Sequence, residues 1–257
     1  MSQAMKDDLA LRLIVNADDL GKSAAVNDAI FECMDQGTVS SSTIMANGAA
    51  VDDAVRRSKL FPHCSFGVHL VATEFFPLSD NSRLSALLTP DKQFYKWPRK
   101  ALLNPATLAA LFHEFGEQIS SLERRGLKIS HIDSHHHIHV TPQFFPILPM
   151  LCRRFSIRRM RNARNLYQPD EHVPVFQRAA KTTWASALHR IGGLVLPDYF
   201  GTLEDLKSQA PEFGMSKTAE IMLHPGHDGY SLEHVATKGK WHQDLPFSAK
   251  LTNFNEL

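Results

Sequence analysis

The ten residues 131–140, HIDSHHHIHV, hold five of the chain's fourteen histidines and one aspartate. Imidazoles packed this closely cannot all carry charge cheaply, so a metal ion or neighbouring carboxylates must organise them. Three shorter motifs bring groups of the same kind. NADD (16–19) places two carboxylates side by side at the end of an apolar run. Taken alone the pair reads as a surface turn or a helix cap. With a divalent cation beside it, one aspartate would serve as a ligand and the other would take a proton from water. For both to reach one site the strand must end in a sharp turn, for which Gly21 is suited. GVHL (67–70) sets His69 inside an apolar run, and MLHPG (222–226) presents His224 before a Pro-Gly turn. One aspartate and two histidines on three separate strands describe a three-ligand site with positions left for water and substrate. That is the catalytic rather than the closed structural arrangement. No GxSxG elbow, Walker loop or GxGxxG loop occurs, which removes Ser-His-Asp and nucleotide chemistry from consideration.

The elements that must position these residues are short β-type runs alternating with amphipathic stretches, the pattern of βα units around a parallel sheet. LRLIVNADD (11–19) is apolar until it ends in polar residues, as a strand buried on both faces should be. Helical spacing of Val26, Ile30, Phe31 and Met34 follows, with Gly37 as a stop. TVSSSTIMAN, SFGVHLVAT, LKISHIDSH, IRRMRNA, LVLPDYFG and AEIMLHPG supply strands two to seven. Helices are expected over AAVDDAVRRSKL, ATLAALFHEFGEQISSLERRG and TPQFFPILPMLCRRF. Within the histidine tract, a two-residue period puts His131, Asp133, His135, His137 and His139 on one side. A helical period aligns His131, His135 and His139. The isoleucines and the upstream LKIS favour a strand at least as far as His135. Residues 74–104 form a long loop, which in a compact domain is usually functional. The apolar runs end in Asp18-Asp19, Asn47, His69, Asp133–His135, Arg161-Asn162, Asp198 and His224. Such strand ends converge on the active site of an α/β barrel.

Composition sets the outer limits. The chain has 257 residues, 43% hydrophobic and 21% charged, with a net charge of +1. That balance argues against a nucleic-acid or membrane-surface role, both of which need a strong basic field. The most basic stretch, RRFSIRRMRNAR (153–164), reads as a solvated helix end and strand edge. Cys33, Cys64 and Cys152 show no CxxC spacing and read as reduced thiols. Residues 1–10 carry two aspartates and no apolar leader core, and no run approaches the ~20 apolar residues of a membrane span. A cytoplasmic protein of one domain, residues 1–257, is expected, whether a single chain or a homodimer.

In order and spacing, LIVNADDLG, GVHL, HIDSHHHIH and MLHPG resemble the YdjC-like family, which includes chitooligosaccharide and hopanoid-biosynthesis deacetylases. The resemblance extends to TVSSSTIMANGAAVDDAV and the long loop, from Leu13 to about Gly226. It implies a distorted (β/α) TIM-like barrel of about seven parallel strands that removes N-acetyl groups from sugars with one divalent ion, Mg²⁺ or Zn²⁺. Family ligands fall on Asp19, His69 and His135, the catalytic base on Asp18, and the acid on His224. Leu20 stands where many members have phenylalanine. Asp133 would orient a ligand imidazole, and Asp133, His137, His139 and Arg161 would lie toward the substrate. Phe94, Tyr95 and Trp97 would stack on a sugar or simply pack the loop. A barrel hydrolase of phosphoesters or cyclic amides and a non-catalytic sugar-binding protein are the alternatives.

Overall fold

The computed structural model describes residues 10–97, 102–208, 217–230, 233, 239 and 241–257. The expectations about the first nine residues and about part of the long loop lie outside these. In chain order the elements are β1 (Leu11–Leu20), α1 (Ala24–Asp35), β2 (Ser41–Ile44), α2 (Val51–Ser58), β3 (Ser65–Leu70), α3 (Pro105–Arg124), β4 (Ile132–Ser134), α4 (Ile147–Arg154), α5 (Val175–Arg190), β5 (Tyr199–Gly201), α6 (Leu203–Ser208), β6 (Thr218–Leu223) and β7 (Ala249–Thr252).

The strands form one parallel sheet in the order β4-β3-β2-β1-β6-β5. β1 is its centre, and Leu13, Ile14, Val15 and Ala17 are fully buried. One edge of β1 pairs with β6. The other is shared, Leu11–Ile14 with β7 and Asn16 to Leu20 with β2. β7 was not anticipated: the sequence Ala-Lys-Leu-Thr alternates too briefly to stand out from a tail.

The expected fifth strand is an extended segment without a regular ladder. Ile132 N donates to Arg159 O at 3.1 Å, Arg161 N to Ile132 O at 3.0 Å, and Met160 N to Val195 O at 3.1 Å. Further along, Asn165 N and Leu166 N both donate to Phe200 O. Residues 158–166 therefore lie between β4 and the β5 region and curl the sheet into a distorted barrel. Arg158 is exposed as the basic composition suggests, but Arg161 is fully buried inside. At the lower end of the barrel Phe254 is also buried, stacked on His131 with ring centroids 3.6 Å apart. Gly67 is required beside them, because a Cβ there would stand 2.7 Å from the His131 ring.

Turn chemistry fixes the loops above the sheet. The cap of α1 is Ser23, whose Oγ accepts from Val26 N at 3.3 Å, so neither aspartate of NADD is spent on capping. Buried Asn27 accepts from Gly21 N at 2.7 Å and donates to Ala50 O at 3.1 Å, tying the turn after β1 to that before α2. Asn104 caps α3, with Pro105 at its first position. Two buried α3 side chains hold the long loop. Glu114 accepts from Leu78 N and Ser79 N, and Gln118 pairs with both the N–H and the C=O of Val71. The loop is thus anchored to α3 at residues 78–79, and the strand end before it at Val71. Proline shortens the next helix. The expected helix from residue 141 opens instead as a 3-10 turn at Pro142–Phe144, and α4 begins only at Ile147.

Candidate active site

At the C-terminal ends of the strands a cavity of about 650 Å³ opens, lined by Asp18, Asp19, His69, His135, His224 and their neighbours. A larger cavity, about 990 Å³, lies at the opposite end of the barrel. Lys59, Lys128 and Arg159 line it, and among the described residues no acidic or histidine side chain does, so they offer none of the chemistry sought.

Asp19 is the hinge of the site. Its own backbone adopts the left-handed conformation (φ 67°), in addition to Gly21 (φ 91°), and β1 shifts register between Ala17 and Leu20. The turn that brings both aspartates to one side therefore falls on Asp19 itself, two residues before the expected glycine. Aspartate tolerates this region better than most residues because its short side chain bonds locally. Asp19 Oδ1 lies 3.1 Å from His69 Nε2 and 3.0 Å from His135 Nδ1, and Oδ2 lies 3.3 Å from His227 Nε2.

One donor atom each from Asp19, His69 and His135 falls within 4.8 Å of the others. His69 is oriented from behind. Its Nδ1 lies 2.7 Å from Asp133 Oδ1 and 3.1 Å from Thr43 Oγ1, and Thr43 donates to Asp133 Oδ2 at 2.9 Å. A carboxylate behind an imidazole is the support that metal-ligating histidines ordinarily have. Burial disfavours the charged His69 ring, yet Asp133 and Asp19 outweigh it and lift its pKa to about 10. Asp18, His69 and Asp133 form a second cluster. There the demand for positive charge is already met, because the Arg161 guanidinium spans Asp18 and Asp133 at 2.6–2.8 Å.

Arg161 organises the layer beneath. Nη1 and Nη2 bond both oxygens of Asp18 at 2.7 and 2.6 Å, and Nε donates to Glu220 Oε1 at 2.7 Å. Its guanidinium also packs 4.7 Å from the Phe200 ring centroid. Burial pushes the Asp18 carboxyl up, but the charge and hydrogen bonds of Arg161 prevail and hold it well below the usual range. Glu220 goes the other way: burial outweighs Arg161, aided by repulsion from Asp133, and the carboxyl is pushed up to about 8. Its Oε2 meets no donor among the described residues. The folded state therefore binds a proton that an unfolded chain would release at lower pH. This contribution to stability is complete below the ordinary glutamate range and is lost as pH rises through about 8. Glu220→Gln should flatten the decline in melting temperature over that interval and be the more stable form above it, as thermal unfolding at a series of pH values will show. A parallel decline in variant and wild type would contradict it.

The histidine tract divides where β4 ends. His131 and Asp133 point into the barrel, and His135 opens a 3-10 turn in which His136 and His137 both have positive φ (53° and 52°). The period-two pattern therefore stops at His135. His136 and His137 line the cavity. His139 is buried with Nδ1 2.6 Å from Ser134 Oγ, bracing the turn rather than facing a ligand. Asp133 and Arg161, expected toward the substrate, are both fully buried and reach the cavity through His69 and Asp18. His224 lies in the cavity wall. Its backbone N–H donates to Glu233 Oε2 at 2.6 Å, and its ring Nδ1 is 3.7 Å from the same oxygen. In the long loop Trp97 lines the cavity and donates from Nε1 to Ala72 O at 2.8 Å, whereas Phe94 is packed away.

Three cavity residues that pair with Asp19 or His135 had not been singled out. His227 follows His224 by three in HPGHDG, a spacing that a turn brings to one side. Glu74 Oε2 lies 2.8 Å from His135 Nε2 and 3.1 Å from Lys22 Nζ. Neither Glu74 nor Lys22 has a sequence signal, because the contact spans 61 or 52 positions.

A curled parallel barrel with an aspartate–histidine cluster at the C-terminal ends of its strands defines a class of hydrolase-type sites. The chain belongs to the YdjC-like protein family, whose model matches residues 12–249. A carbohydrate deacetylase of Geobacillus stearothermophilus is 34% identical over 83% of this chain and 79% of its own length. A chitooligosaccharide deacetylase of Klebsiella pneumoniae is 32% identical over 84% and 81%. Among solved structures, an Enterococcus faecalis protein described provisionally as a cellobiose-phosphate cleavage protein superposes with a TM-score of 0.73 at 20% identity. That match covers 96% of this chain and 98% of the other, and it speaks to the fold.

Proposed function

We propose that this protein is a metal-dependent hydrolase that removes the acetyl group from an N-acetylated amino sugar. The observation that carries the reading is the contrast between two adjacent aspartates. Asp19 gathers His69 and His135 into a ligand set, while Asp18 faces the same cavity in the grip of Arg161. The deacetylase relatives supply the substrate class.

Asp19, His69 and His135 would hold one divalent ion, Mg²⁺ or Zn²⁺. When bound, such an ion polarises the acetyl carbonyl and acidifies water. Asp18 Oδ2 accepts the proton of the attacking water. Arg161 keeps that carboxylate ionised and so free to accept the proton, which it holds weakly and gives up readily. His224 stands across the cavity, backed by Glu233, and protonates the departing sugar nitrogen. The Trp97 and His136 walls limit access of bulk water and hold the sugar over these groups. The three cysteines are buried thiols, which suits a reducing compartment such as the cytoplasm. No helix among the described residues is long and apolar enough to cross a membrane.

The assignment of the acid is tested by His224→Gln. The variant should lose about 10²- to 10⁴-fold in kcat, the usual worth of a positioned proton donor. Metal content should stay as in wild type. A rate within a few-fold of wild type would move the role to His227.

A further inference from the structure

The two imidazoles of the ligand set are held by different carboxylates and in opposite senses. His69 turns Nε2 toward Asp19 Oδ1 at 3.1 Å and Nδ1 toward the buried Asp133 carboxylate at 2.7 Å. His135 does the reverse. Its Nδ1 faces Asp19 Oδ1 at 3.0 Å, and its Nε2 lies 2.8 Å from Glu74 Oε2. Each ring therefore gives one nitrogen to the ligand set and the other to a carboxylate. Asp133 belongs to β4, whereas Glu74 belongs to the loop that follows β3 and is half-buried.

The backbone around Glu74 is braced on both sides. Ala72 O accepts from Trp97 Nε1 at 2.8 Å, and Phe75 O accepts from Phe94 N at 2.7 Å. Thr73 Oγ1 lies 2.8 Å from His136 Nδ1, so successive residues of this loop meet successive histidines of the turn after β4. That turn needs outside support, because His136 and His137 sit at positive φ, a conformation costly for histidine. Lys22 Nζ lies 3.1 Å from Glu74 Oε2 and 3.8 Å from Asp19 Oδ2, which offsets the repulsion between the two carboxylates flanking His135.

Resting on the metal-dependent reading, we propose that Glu74 is a positioning residue for the metal centre: its carboxylate accepts the Nε2–H of His135 and so aims the Nδ1 lone pair of that ring at the ion. A neutral imidazole carries one proton, and the acceptor at one nitrogen decides which nitrogen keeps its lone pair. Without Glu74 both tautomers are open to the ring, and nothing at Nε2 fixes its rotation. Glu74 itself stays outside the ligand set. The loop after β3 thus contributes to metal affinity without touching the ion.

Calorimetric titration of Zn²⁺ into the metal-stripped protein tests this without any sugar. Glu74→Ala should bind Zn²⁺ about 10- to 100-fold more weakly than wild type, the usual cost of removing a carboxylate behind a ligand imidazole. Glu74→Gln, whose carbonyl still accepts from Nε2–H, should recover most of that loss. Lys22→Met removes the ion pair of Glu74 but leaves its bond to His135, and should bind Zn²⁺ no more weakly than wild type. Melting of the metal-free proteins checks that each variant folds. Three results would overturn the proposal while wild type still binds Zn²⁺ and the metal-dependent reading stands. They are unchanged affinity in Glu74→Ala, a loss in Glu74→Gln as large as in Glu74→Ala, and an equal loss in Lys22→Met. The second would make Glu74 a ligand, and the third would make it a loop tether. A wild type that takes up no Zn²⁺ would overturn both the proposal and the reading it rests on.

Discussion

Asp19→Ala should yield a folded protein that retains no stoichiometric metal and releases acetate at background rate. Asp19 is the only carboxylate in the three-donor set, and it alone lies within 3.1 Å of both His69 and His135. Two neutral imidazoles cannot replace its charge. Loss of the ion removes several kcal/mol of transition-state stabilisation, about three or more factors of ten in rate. The backbone adds a control. At φ 67° alanine is strained by about 1–2 kcal/mol, whereas asparagine tolerates the conformation. Asp19→Asn should therefore melt closer to wild type and still lose most of its metal. Elemental analysis beside an acetate assay separates the cases. Full metal content in either variant would mean that the ligand set is drawn wrongly.

The largest effect on stability should come from Arg161→Ala. Arg161 has no solvent exposure and bonds Asp18, Asp133 and Glu220. Removing it leaves Asp18 buried without its cationic partner and Asp133 with His69 alone, a loss of about 3–5 kcal/mol for a broken buried pair. For a chain of this length each kcal/mol lowers the melting temperature by about 2–4 °C. Activity should fall as well, because Asp18 loses the two bonds that aim it and keep it ionised. The acid limb of the pH–rate profile should accordingly move to higher pH, a displacement that destabilisation alone would not produce. Arg161→Lys keeps the charge but lacks the fork that reaches three partners, and should fall between. A melting temperature unchanged in Arg161→Ala would refute the buried network.

How much of this was legible in the sequence depends on the range of the contacts. β1, β3 and β6 announce themselves as apolar runs ending in Asp18-Asp19, His69 and His224, and the structure brings those ends to one cavity. α1 and α3 follow from helical spacing and their stops. The family motifs carried the choice of Asp19, His69 and His135, which the geometry gathers. What the sequence hid is mostly the second layer. Arg161 was expected at a converging strand end and toward the substrate; what had no signal, in a stretch so basic that it reads as solvated, is its full burial among three acids from other strands. Glu220 had a usable signal: in AEIML it is the one charge, and it alternates with Met222 and His224 on the inward face. The histidine tract is a strand as far as the sequence favoured, and it turns beyond that for a local reason. Two successive left-handed residues, His136 and His137, end the strand period, and propensity does not foresee positive φ at histidine. β7 was lost because four residues pairing with the far end of β1 depend on contacts over 230 positions away.

Acetate release tests the central claim most directly. Wild type and Asp18→Asn would be assayed on N-acetylated sugars, each after chelation and again after Mg²⁺ or Zn²⁺ is restored, with metal content measured in parallel. The account predicts release by wild type that chelation abolishes and metal restores, and a loss of about 10²- to 10⁴-fold in Asp18→Asn despite retained metal. Undiminished release after complete chelation, or Asp18→Asn as active as wild type, would contradict it.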